Sequence, residues 1–104
     1  MFGLTPKDLQ EILDVLRNYQ EVDEAILFGS RALNTHKKGS DIDIALKGKE
    51  IGFITATIAG ILNEESHLPY FFDILDYNLI ENQDLKEHID RVGQQIYKKD
   101  LSER

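Results

Sequence analysis

At 104 residues, with 41% hydrophobic and 30% charged side chains, the chain has the length and balance of one small soluble globular domain rather than a disordered segment. Twelve Lys and Arg against 19 Asp and Glu leave a formal charge of -7, which repels a polyphosphate backbone and argues against extended nucleic acid as a partner. A small nucleotide carried on divalent cations stays open, because such a cation reverses the electrostatics of a carboxylate cluster. With no cysteine there are no disulfides and no thiolate metal sites. No run approaches the ~18 consecutive apolar residues of a membrane span, and the N-terminal MFGLTPKDLQ lacks a signal pattern. The expectation is a single domain over residues 1–104, cytoplasmic, with no membrane association.

In chain order, Thr5 reads as an N-cap, Pro6 as the first helical residue and Asp8 as a capping-box-like partner. Leu9, Ile12, Leu13 and Leu16 follow at helical spacing, which predicts a first helix from about Pro6 to Gln20. EAILF, ending at Gly29, has the length and flank of a buried strand, and the segment from Arg31 to Ser40 is a polar loop. DIDIAL alternates, so it predicts a second strand with Ile42 and Ile44 on one face and Asp41 and Asp43 on the other.

Ile51, Ile54, Ile58, Ile61 and Leu62 recur at helical intervals and predict a helix from about Glu50 to Glu65, weakened by Gly52 and Gly60. PYFFDILDY is aromatic and branched over a strand-like length, with Pro69 at its edge, and reads as a third strand. Leu85, Ile89, Val92 and Ile96 predict a last amphipathic helix that Gly93 could end early. Strands thus alternate with helices in one α/β unit, without repeats or linkers.

On an extended strand Asp41 and Asp43 project to one side, ~6 to 7 Å apart at Cα. Two carboxylates so placed can share metals, and paired catalytic metals about 3.5 to 4 Å apart clamp the attacking and leaving oxygens of a phosphoryl displacement. Hard cations want more oxygen ligands, so a third carboxylate is expected on a neighbouring strand. Asp73, charged between Phe72 and Ile74, is the best candidate; Asp76 has opposite parity and lies near the strand's end. Gly29 and Ser30, just after the first strand, suit a phosphate through close backbone approach, exposed amides and a hydroxyl. Arg31 could reach a triphosphate, with an exposed structural role as its competitor.

Plainer readings exist for each feature. Asp-x-Asp on a strand is most often a solvated face, and a glycine-serine after a strand is weak by itself. An EF-hand starting at Asp41 fails, because Leu46 would stand where the turn needs glycine and Gly52 where the bidentate glutamate belongs. His36, His67 and His88 are scattered without zinc spacing and read as surface or packing residues, His36 having the better claim to a site role from its place in the loop. Lys37 and Lys38 read as solvated loop charge.

Gly29-Ser30, ten residues, then Asp41-Ile42-Asp43 resembles the signature of the DNA polymerase beta-like nucleotidyltransferase superfamily. LFGSRA, GSDIDIAL, LPYFFDILDY and LKEHIDRVGQQIY extend the resemblance to the minimal nucleotidyltransferases over about residues 24 to 98. The resemblance implies a small mixed sheet flanked by helices, Gly29 and Ser30 holding nucleotide phosphates, and Asp41, Asp43 and Asp73 binding two magnesium ions. Relatives often have glycine where this chain has Asn34, and asparagine also tolerates a left-handed backbone. The resemblance further implies transfer of AMP from ATP to a tyrosine of a helical HEPN-type partner, as the antitoxin of a toxin pair, the acceptor being supplied by another chain. Two other readings remain beside it, a non-catalytic antitoxin acting by surface contact and a nucleotidyltransferase of small molecules such as aminoglycosides.

Overall fold

A computed structural model describes residues 1–100. Helix α1 (Pro6–Arg17) starts as its sequence dictates: Thr5 Oγ1 accepts from the Asp8 amide at 3.0 Å, and Pro6 stands where a missing N–H costs nothing. It ends three residues before the expected Gln20, because the amides of Asn18 and Tyr19 turn to Val15 and Leu16 and tighten the last turn. Strands β1 (Val22–Phe28), β2 (Ile42–Gly48), β3 (Phe72–Asp76) and β4 (Gln94–Lys98) form one sheet in the order β3-β2-β1-β4. β1 runs antiparallel to both β2 and β4, whereas β2 and β3 are parallel. A parallel pair needs a crossover, and α2 (Gly52–Gly60) supplies it. The mixed sheet with flanking helices is the expected fold class.

Helix α2 continues to Glu65 in a wider turn, in which the Ser66 amide reaches back five residues to the Ile61 carbonyl at 3.0 Å. That turn aims Asn63 at the start of β3. Its Oδ1 accepts from the Phe72 amide at 2.7 Å and its Nδ2 donates to the Phe72 carbonyl at 2.9 Å, so a side-chain amide pairs with the strand as a neighbouring strand would.

Alternation sorts the strands between two cores. Val22, Ala25, Leu27, Ile42, Ile44, Leu46, Phe72 and Ile74 face Ile12 and Leu16 of α1 and Ile58 of α2. Phe28 and Ala45 face the other way, where Ile89 of α3 (Gln83–Val92) covers them. Asp41 precedes β2 rather than opening it, so the second strand is shorter at this end than DIDIAL suggests. Among the described residues no helix is long and apolar enough to cross a membrane.

The last predicted helix is corrected. Its apolar spacing runs on to Ile96, but α3 stops at Val92 and residues 94–98 form β4 beside β1. Gly93 makes the change of direction: its amide bonds the Ile89 carbonyl at 2.9 Å, and a Cβ there would collide with that carbonyl and with Ile26 Cγ2. Gly93→Ala should therefore cost about 1 to 3 kcal/mol through forced backbone or strand displacement, measured as a lowered urea midpoint with unchanged slope.

Candidate active site

The sheet register gathers the features that the sequence scatters. Phe28, the last residue of β1, lies opposite Asp43 of β2, so the chain leaves β1 into Gly29 directly beside that aspartate. Across the parallel ladder Asp43 is in register with Asp73, which places both side chains on the α3 face of adjacent strands. Asp41 lies two residues upstream, exposed at the mouth of the same end. Asp76 pairs with Leu46 instead, and its side chain caps the turn that follows β3 by accepting from the Asn78 amide at 3.0 Å.

Gly29 is required for two reasons. Its φ of 75° is left-handed, and the Asp43 carboxylate occupies the space that any Cβ would fill. The following residues curl into a single turn, with the Leu33 amide on the Gly29 carbonyl at 3.2 Å and the Thr35 amide on the Ser30 carbonyl at 2.9 Å. Asn34 is left-handed at φ 60°, the conformation for which asparagine is a tolerable replacement of glycine.

Arg31, expected either to reach a triphosphate or to take an exposed structural role, is buried and tied to the backbone. It is only 2% exposed, and all three guanidinium nitrogens donate to backbone carbonyls: Nε and Nη2 to Ser40 at 3.2 and 2.8 Å, Nη1 to Phe2 at 2.8 Å. Its guanidinium carbon lies 5.0 Å from the centroid of the Tyr70 ring. The planar fork is therefore spent on tying the loop to the N-terminal segment.

His88, a surface or packing residue by its sequence, has a place at the turn in the fold. From α3 its Nε2 accepts the Gly29 amide at 3.1 Å, and its ring meets Phe28 edge-on with centroids 6.2 Å apart. Its helical position, one residue before the buried Ile89, was the available signal. That α3 passes over the turn was not readable without the fold. His36, in the loop, instead packs beside Gly3, and its Nδ1 is buried without a hydrogen-bond partner among the described residues.

The electrostatics are those of an acidic cluster. Burial, then repulsion from Asp73 and from Asp41, raise the Asp43 carboxyl above its ordinary value, while His88 and Arg31 act in the opposite direction. The three carboxylates nevertheless do not converge on one point: among the described residues no three acidic or histidine side chains are gathered closely enough to hold a metal ion.

Two outcomes follow from this geometry. Because the folded state holds the Asp43 proton more tightly than the unfolded chain does, ionisation subtracts stability as pH rises through the folded value, and nothing is lost below the unfolded value of 3.8. Asp43→Asn should thus raise the melting temperature in chelator at neutral pH and leave it unchanged below that value. Arg31→Lys, which cannot serve all the carbonyls at once, should cost about 1 to 3 kcal/mol in denaturant titration.

The sequence matches the family described as "Polymerase beta, Nucleotidyltransferase" over residues 10–102, and a comparison with curated protein sequences yields no match. Among solved structures, the fold is similar to a chain of a toxin-antitoxin crystal structure with AMP-PNP, at a TM-score of 0.73 and 23% identity over 91% of this chain and 77% of that one. A chain of the toxin-antitoxin MntA-HepT gives 0.68 and 22% over 91% and 74%. A chain from the complex of tri-AMPylated Shewanella oneidensis HEPN toxin with MNT antitoxin gives 0.65 and 22% over 91% and 73%. At these identities the solved structures speak for the fold, and the family is carried by the sequence match: this chain belongs to the polymerase beta nucleotidyltransferase family.

Proposed function

We propose that this protein transfers AMP from ATP to a hydroxyl of a helical HEPN-type partner and acts as the antitoxin of that partner in the cytoplasm. The observation that carries the reading is the register of Asp43 with Asp73, beside the Gly29-Ser30 turn, in a chain of a nucleotidyltransferase family. Two similar structures support the choice of nucleotide and partner, one a toxin-antitoxin with AMP-PNP and one a complex holding a tri-AMPylated HEPN toxin.

In ligand type, though not in the side-chain spacing described above, the donor set fits magnesium. Carboxylate oxygens are the ligands a hard cation takes, and the repulsion felt by Asp43 from Asp73 and Asp41 is what a divalent charge would relieve. Asp41, Asp43 and Asp73 would hold two such ions, which when bound neutralise phosphate charge and acidify the acceptor hydroxyl. Ser30, at the turn, receives phosphate oxygens while Gly29 lets the backbone approach. Asp73, on the outer strand, takes the proton from the acceptor hydroxyl. That oxygen bonds the α-phosphorus, the α–β phosphoanhydride bond breaks, and pyrophosphate leaves with the bonding electrons. Arg31 acts from beneath, fixing the loop that joins the turn to Asp41.

A second reading, a non-catalytic antitoxin, draws on one observation: the spread of the three carboxylates. Incubation with ATP, magnesium and a helical HEPN-type partner separates the two. The expected result is a partner mass increased by one or more AMP units, with Asp41→Asn and Asp43→Asn each slowing transfer about 100-fold or more. Neutralisation that survives Asp43→Asn without any adduct would instead select the binding antitoxin.

A further inference from the structure

The phosphate turn has one feature that the transfer reaction leaves unused, its bond to α3. The Gly29 amide donates to His88 Nε2 at 3.1 Å across 59 residues of sequence. An amide has one hydrogen, so this donor is already committed. A nitrogen that accepts also fixes the tautomer: the neutral ring carries its proton on Nδ1 and turns a lone pair toward the turn.

His88 is held firmly enough to impose that arrangement. The next residue, Ile89, is 2% exposed in the cluster with Phe28 and Ala45, and the imidazole itself stands at 78° to the Phe28 ring. A phosphate oxygen taking the Gly29 hydrogen would have to displace the ring and would leave two acceptors facing each other. On the other side of the same glycine lies the Asp43 carboxylate, a second acceptor. Ser30 is different. Its carbonyl receives the Thr35 amide at 2.9 Å, but neither its amide nor its hydroxyl has a protein partner among the described residues.

We propose that His88 is a positioning residue for phosphate recognition: by holding the Gly29 amide it fixes the turn beside Asp43 and leaves the Ser30 amide and hydroxyl as the donors that receive the nucleotide. This rests on the nucleotidyltransferase reading and refines it, for Gly29 then contributes space and backbone angle rather than a phosphate hydrogen bond. The last helix thereby takes part in nucleotide binding without touching the nucleotide.

The test compares wild type with His88→Leu, which removes the acceptor, and His88→Gln, whose amide oxygen reaches a similar place. Amide resonances of Gly29 and Ser30 are followed on adding AMP-PNP with magnesium, alongside KM and kcat for AMP transfer. In wild type the nucleotide should move Ser30 far more than Gly29. His88→Leu should shift Gly29 in the nucleotide-free protein and raise KM for ATP about tenfold, the size of one lost hydrogen bond, with kcat within about threefold. His88→Gln should recover most of the affinity, and it carries the comparison if the leucine variant does not fold. The assignment is overturned if AMP-PNP moves Gly29 as much as Ser30, if the leucine variant binds as tightly as wild type, or if glutamine restores nothing. Absence of any AMP-PNP response in wild type would bring down the nucleotidyltransferase reading itself, and the His88 assignment with it.

Discussion

Two carboxylates of like charge stand opposite one another on adjacent parallel strands, and hydrophobic parity keeps them there. Ile42, Ile44 and Leu46 are fully buried on one face of β2, and Phe72 and Ile74 turn to the same core from β3, so Asp43 and Asp73 have only the other face available. A slip of one residue in either strand would bury a charge and expose an isoleucine, a change costing several kcal/mol at each position. The core therefore dictates the site, and the acidic cluster is a cost that the fold tolerates.

The neighbours of Asp43 lessen that cost without cancelling it. Arg31 is a buried cation with no carboxylate in its hydrogen-bond shell among the described residues; carbonyls and the Tyr70 ring satisfy it there. Its charge acts on Asp43 and eases the ionisation of that carboxylate. A direct ion pair would have occupied the carboxylate oxygens. Cationic support at one remove leaves them open while holding part of their repulsion in check.

Much of this was legible in the sequence because it follows from local chemistry. Thr5 and Pro6 start a helix wherever they occur before an apolar stripe, and alternation across Asp41 to Leu46 assigns faces without knowledge of the partner strand. Asp73 could be singled out as a charge in an apolar run. The remainder depended on contacts between distant segments. Arg31 looks like a phosphate ligand until the carbonyls of Phe2 and Ser40 are brought to it, and His88 looks inert until α3 is laid over the turn. Ile96 continued a helical rhythm by coincidence, since an interval of four residues satisfies the inner face of a helix and also, across Gly93, an inward position on β4.

The paired hydrogen bonds of Asn63 bear on how an acceptor can arrive. β3 is the outermost strand on its side of the sheet, and such strands invite another chain to add by backbone pairing. At Phe72, immediately before Asp73, the outward N–H and carbonyl are already taken by the asparagine amide. Strand addition is thus obstructed at the residue that leads into the third aspartate. A backbone adding along β3 would have to displace the asparagine before it could pair at Phe72.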